Sequence, residues 1–148
     1  MNESCKHLFG KRLASLDYGR KRTGFAVCDE FHITVSPRKI FDVYSETFFE
    51  ELRNEIQKEK IAAIILGIPL RTDGVETEII KEIRSLKEEI EKHCEVEVIL
   101  FDEAFSSRRA TETMLASGKK KKNRSKKGNK DIIAAAVILR EFLETELC

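Results

Sequence analysis

The 148-residue chain predicts an α/β fold in which one mixed sheet carries helices on its faces. Three observations predict it. Before Phe41 there are three short strand-like runs with short connections, the mark of an antiparallel meander. From Ser45 onward the apolar period lengthens, and amphipathic runs alternate with aliphatic strand-like ones. The length suits one domain with one sizeable core. A meander followed by β-α crossovers closes into a single sheet covered by helices. No internal repeat or linker divides the chain, so residues 1–148 read as one domain.

Leu13 to Asp17 alternates larger apolar residues and ends in a carboxylate, which reads as a first strand. Tyr18 to Arg22 is a short basic turn around Gly19, and Thr23 to Cys28 is a second strand close enough to pair as a hairpin. Ile33 to Ile40 offers a third, and Pro37 places it at a sheet edge. Between Ser45 and Lys60, Phe48, Leu52 and Ile56 recur at helical spacing. Ile61 to Leu66 is a continuous aliphatic run, as in a strand covered on both faces, and Gly67-Ile68-Pro69 ends it. Ile79, Ile83, Leu86 and Ile90 mark a helix from Glu76 to His93. Val96 to Phe101 is the last strand and leads into Asp102-Glu103. Ser106 to Ser117 reads as a short helix, capped by serine and closed by Gly118. Residues 119–129 read as a flexible basic loop, after which Asp131 opens a final helix.

Composition excludes several classes. No apolar run approaches the ~20 residues of a membrane span, and the N-terminus lacks the apolar core of a secretory signal. The four cysteines are scattered without a CxxC pair, and the three histidines lie far apart, so no zinc site is indicated. Free thiols and the absence of a signal point to the cytosol.

Three carboxylates fall where α/β sheets gather ligands. Asp17 ends the first strand, Glu103 follows the last, and Asp131 lies at the start of the last helix. Carboxylates without histidine or thiolate suit hard cations such as Mg²⁺ or Mn²⁺. Such ions activate water and clamp a phosphodiester for in-line displacement. Each residue also has a plainer explanation. The helix dipole and capping account for Asp131, turn chemistry accounts for Asp17, and Glu103 fits an ordinary loop.

Charge is balanced in total and uneven in placement. Lys+Arg is 27 and Asp+Glu is 26. Between Lys119 and Lys130 there are eight basic residues and no acidic one; taking those eight from 27 leaves 19 basic against 26 acidic. Arg20, Lys21 and Arg22 form a smaller cluster after Asp17. Both clusters adjoin a proposed ligand carboxylate, as a site that holds a polyanion requires. Arg20, Lys21, Arg22, Lys119, Lys120, Lys121, Lys122, Arg124, Lys126 and Lys127 are therefore candidate nucleic-acid contacts. Each phosphate neutralised steepens salt dependence by about 0.9 log units for duplex DNA or about 0.7 for a single strand. A lysine run can equally be a solvated loop. The chain has no tryptophan and no aromatic pattern of the kind that stacks bases sequence-specifically.

Four segments together resemble the YqgF/RuvX family. SLDYGRKRTGFAVCD is similar to its aspartate strand, glycine turn and second strand. LGIPLRTDG resembles its G-x-P-L-x-x-x-G loop, FDEAFSS its D-E-R-x-T-T segment, and NKDIIAAAVILREFL its terminal D-x-x-A-A-x-x-L helix. They occur in the family's order and cover most of the chain from Leu13 to Leu143. The resemblance implies a ribonuclease H-like five-stranded sheet of order 3-2-1-4-5, with helices on both faces. It implies a nuclease that processes the 5′ end of pre-16S ribosomal RNA, related to Holliday-junction resolvases. The catalytic and metal-binding triad carries over to Asp17, Glu103 and Asp131, holding one or two Mg²⁺ or Mn²⁺ ions. In that sheet Asp17 and Glu103 lie two strands apart, about 10 Å at ~4.8 Å per step, so the loop after Phe101 must fold back for them to share a metal.

The chain departs from the family at Ala104, where the D-E-R arginine is absent, and at Ser106 and Ser107, which replace threonines. The lost guanidinium is a phosphate or carboxylate partner. Ser107 and Arg108 are the candidate nucleic-acid contacts there, although the serines serve equally as helix caps. The implied partner is RNA, pre-16S rRNA within a pre-ribosomal particle, or else branched DNA, with the protein a monomer or weak homodimer. A non-catalytic RNA-binding assembly factor is an alternative. So is a phosphotransferase with an Asp-x-Gly turn like Asp17-Tyr18-Gly19, although those enzymes use two such domains.

Overall fold

The computed structural model describes residues 3–69, 77–102 and 127–147. After a 3-10 helix at Glu3–Leu8 come β1 (Leu13–Asp17), β2 (Thr23–Cys28), β3 (Val35–Phe41), α1 (Phe48–Glu59), β4 (Ala63–Ile68), α2 (Glu78–Cys94), β5 (Glu97–Asp102) and α3 (Lys127–Glu146). The five strands form one sheet of order β3-β2-β1-β4-β5. The β1–β2 and β2–β3 pairs are antiparallel, and the β1–β4 and β4–β5 pairs are parallel. The mixed sheet and its expected order are thus present. The helix expected over 106–117 lies outside the described residues.

β1 is the middle strand, and its alternation divides the core in two. Ala14 and Leu16 belong to the cluster that packs under α1 and α2, with Phe48, Leu52, Ile83 and Ile90. Leu13 belongs to the opposite cluster, with Ile138, Leu139, Phe142 and Leu143 of α3. Helices therefore cover both faces, and β4 is buried along its whole length between them. On the edge strand, Ala26 of β2 pairs with Pro37 while Phe25 pairs with Lys39. Arg38 is the extra residue of a bulge, and the edge accommodates a proline that cannot donate.

Element ends differ from the sequence expectation in physical ways. α1 and α2 both close on non-glycine residues in the left-handed conformation, Lys60 and Glu95, so no glycine marks their ends. Residues 127–129, expected in the basic loop, belong to α3, which begins four residues before Asp131. Once a helix is nucleated, each added residue gains a hydrogen bond for two more fixed dihedrals, which carries it through Gly128 and Asn129.

α3 is held to the sheet by aromatic and aliphatic burial. Phe142 is fully buried and stands edge-on to Phe101 at 5.7 Å. Phe142→Ala is expected to lower unfolding free energy by about 3–5 kcal/mol, measured by urea denaturation.

Candidate active site at the C-terminal end of the central strand

Asp17 is the last residue of β1 and is half-buried, paired in register with Gly24. Successive strand residues point to opposite faces, so Asp17 lies on the face of Leu13 and Ser15, toward α3. Ser15 fixes that relation directly. Fully buried, it donates its hydroxyl to the carbonyl of Ala135 at 2.6 Å. The later turns of α3 pack with Leu13, Cys28 and Ala63, at the start of β1. α3 therefore runs back along β1, and its early turns reach the end of the sheet where Asp17 sits.

Asp131 lies one turn before Ala135 on the same helix, at that end. It is not at the helix start. The dipole's influence falls off within the first turn, so capping no longer accounts for an aspartate at the fifth position of α3. Asp102 ends β5 opposite Ile68, and Glu103 follows it outside the described residues. Two strand steps separate β5 from β1, about 10 Å. The structure thus brings Asp17 and the backbone of Asp131 to one end of the sheet, where β5 also ends at Asp102. Among the described residues no group of three metal-ligating side chains is assembled.

The turn after Asp17 is held from several sides. Thr23, fully buried, accepts from the Gly19 amide at 3.2 Å and donates to the Gly19 carbonyl at 3.1 Å. A Cβ on Gly19 would meet the Arg22 carbonyl oxygen at 2.3 Å, so close backbone approach requires glycine here. On the α2 face, Tyr18 donates to Glu82 at 2.7 Å, and Arg20 grips the same carboxylate through Nε at 3.0 and 3.1 Å and through Nη2. Tyr44 completes the group, its hydroxyl 3.1 Å from that of Tyr18. The Arg20 hydrogen bonds, then that of Tyr18, hold the Glu82 carboxyl down at about 2. Burial, with Tyr44 and Glu82, pushes the Tyr18 hydroxyl up.

The candidate cation contacts divide accordingly. Arg20 is committed to Glu82, while Lys21 and Arg22 are exposed on the turn. Ser107, Arg108, Lys119–Lys122, Arg124 and Lys126 lie outside the described residues, and Lys127 opens α3. Tyr44 and Glu82 were not singled out by sequence. Their only signal is proximity to Tyr18, which folding creates across 26 and 64 residues.

The donor set suits a hard cation. The candidate ligands Asp17 and Asp131 are oxygen donors by residue type, whereas the cysteines Cys5, Cys28 and Cys94 are buried. Burial pushes the Cys28 thiol up to about 11, far from the thiolate a soft metal needs. Among the described residues no helix is long and apolar enough to cross a membrane.

A five-stranded mixed sheet of this order, with helices on both faces and an aspartate ending its middle strand, defines a ribonuclease H-like domain. Thermus thermophilus RuvC, solved in complex with a Holliday junction substrate, shares the fold at a TM-score of 0.50 and 10% identity, over 90% of this chain and 95% of that one. A family model described as "RuvX: Holliday junction resolvase" matches residues 11–145. A Flavobacterium johnsoniae protein named "Putative pre-16S rRNA nuclease" is 35% identical over 91% of this chain and 97% of its own length. A Sulfurihydrogenibium protein of the same name is 36% identical over 90% of each. The chain belongs to the RuvX family.

Gly19→Ala is expected to lower unfolding free energy by about 1–3 kcal/mol, because backbone rather than a mobile side chain must yield; chemical denaturation checks it. Glu82→Gln tests the turn's tie to α2. The carboxyl is lowered from 4.5 to about 2 on folding, so the unfolded state binds more protons as pH falls through that window. The gap in urea midpoint between wild type and Glu82→Gln is expected to hold steady above pH 4.5 and to close as pH falls toward 2.

Proposed function

We propose that the chain is a metal-dependent phosphodiesterase that processes the 5′ end of pre-16S ribosomal RNA. The observation that carries this reading is the meeting of Asp17, at the end of the central strand, with the α3 turn of Asp131, in a domain of the RuvX family. The name shared by the relatives supplies the substrate. Asp17, Glu103 and Asp131 would hold one or two Mg²⁺ or Mn²⁺ ions. Such an ion, when bound, supplies a water of lowered pKa and a Lewis acid for the phosphoryl oxygens.

The chain's own residues bind and orient. Lys21 and Arg22 meet the phosphodiester backbone beside Asp17, and Ser107, Arg108, Lys119, Lys120, Lys121, Lys122, Arg124, Lys126 and Lys127 meet it from the segment between Glu103 and Asp131. The Gly19 turn fixes where the Asp17 carboxylate stands. The reaction belongs to the cytosol, on RNA within a pre-ribosomal particle, with the protein a monomer or weak homodimer. The family's description favours a second reading, cleavage of branched DNA.

Asp17→Asn is expected to lower cleavage by about 10³-fold, the worth of several kcal/mol of charge stabilisation, while nucleic-acid binding stays within about twofold. A cleavage assay on precursor ribosomal RNA and a DNA four-way junction, with Mg²⁺ and with Mn²⁺, checks both readings. Unchanged turnover by the pure variant overturns the site. Cleavage of the junction alone selects the second reading.

A further inference from the structure

We infer that the cleft between Tyr44 and α2 is a nucleobase subsite, which takes one unpaired base of the nucleic acid whose backbone lies at Asp17. This rests on the nuclease reading above. The cleft measures about 330 Å³, and Val43, Tyr44, Phe49 and Leu86 wall it, with Tyr18 and Glu82 among its other lining residues. That is the small end of the range for ligand sites, and suits a single flat heterocycle rather than a run of chain.

Its chemistry selects the base over the phosphate. The walls are aromatic and aliphatic, and any base offers a π-face to an aromatic ring. Ser85 supplies a hydroxyl. The carboxylates of Glu82 and Glu89 also line the cleft, so a phosphate inside would meet like charge. Lys81 lines it as well, well exposed to solvent and 3.8 Å from Glu78, while Arg20 is already paired with Glu82. Lys81 suits a phosphate that flanks an inserted base.

The walls are fixed before binding. Tyr18 donates to Glu82, so the Tyr18–Tyr44 bond has Tyr44 as donor. Tyr44 is nevertheless 66% exposed, and a base laid on it would cover apolar surface now in water. Connectivity joins cleft to site. Tyr18 follows Asp17 directly, about 3.8 Å on between Cα atoms, and packs on the α2 face while Asp17 lies on the α3 face. A strand crossing the end of β1 would present its backbone to Asp17 and a base to the cleft.

The test uses the full chain in EDTA, which holds off cleavage, with two fluorescein-labelled single-stranded probes of equal charge. These are an RNA octamer of adenines and an eight-unit abasic ribose-phosphate oligomer. Fluorescence anisotropy is expected to show the wild type binding the adenine octamer roughly 5- to 150-fold more tightly, the worth of one stacked base. Tyr44→Ala is expected to remove that preference and Tyr44→Phe, which keeps the ring, to retain it. Unlabelled octamer gives a second readout. Tyr18 and Tyr44 are the chain's only tyrosines and it has no tryptophan, so quenching of intrinsic emission reports this cleft alone. Thermal melting checks that both variants fold, as the exposure of Tyr44 leads one to expect. A preference that survives in Tyr44→Ala, or is lost equally in Tyr44→Phe, overturns the inference. So does a wild type that cleaves RNA with Mg²⁺ yet binds both probes alike. A wild type that neither binds nor cleaves nucleic acid overturns the nuclease reading and the subsite with it.

Discussion

Burial of β1 on both faces is the constraint on which the rest of the molecule depends. A strand with neighbours on either side and helices above and below has no solvent face, so each side chain must satisfy one of two interiors. Ala14 and Leu16 fill one layer and Leu13 the other. Ser15 is admitted to the second only because its hydroxyl reaches the Ala135 carbonyl. That hydrogen bond sets α3 on the sheet and brings the turn of Asp131 to the end where Asp17 emerges. Packing and site geometry are here the same fact.

The turn leaving β1 shows how a short segment is made definite. Gly19 permits a close approach to the Arg22 carbonyl, Thr23 braces both polar groups of Gly19, and Glu82 draws Tyr18 and Arg20 onto α2. An arginine beside an acidic site reads naturally as a phosphate contact. Here its guanidinium already answers a carboxylate, while Lys21 and Arg22 are exposed on the turn. The basic cluster is thus partly structural, and its structural member stiffens the residue next to Asp17.

Much of this was legible in the chain. The aliphatic run around Ile64 and Ile65 announces a strand covered on both faces, and Pro37 announces the sheet edge, because each follows from local chemistry. The start of α3 was not legible. Gly128 and Asn129 favour a loop by propensity, and only the helix propagating from Ile133 onward overrides it. The ends of α1 and α2 were legible to within one residue, although Lys60 and Glu95 adopt the left-handed conformation there without being glycine. The 3-10 helix at Glu3–Leu8 carries no clear period, and it exists because Cys5 and Leu8 dock under α3.

By itself the sequence determined the five strands and the helices α1, α2 and α3, the family, and the occurrence of carboxylates beside basic clusters, since periodicity and motif order are local properties of a chain. Only the tertiary structure decided which of those charges are spoken for. Arg20 belongs to Glu82, Asp131 stands inside its helix rather than at its cap, and two tyrosines that sequence leaves 26 residues apart share one cleft. These relations join residues remote in the chain, and they arise when the two faces of β1 acquire their helices.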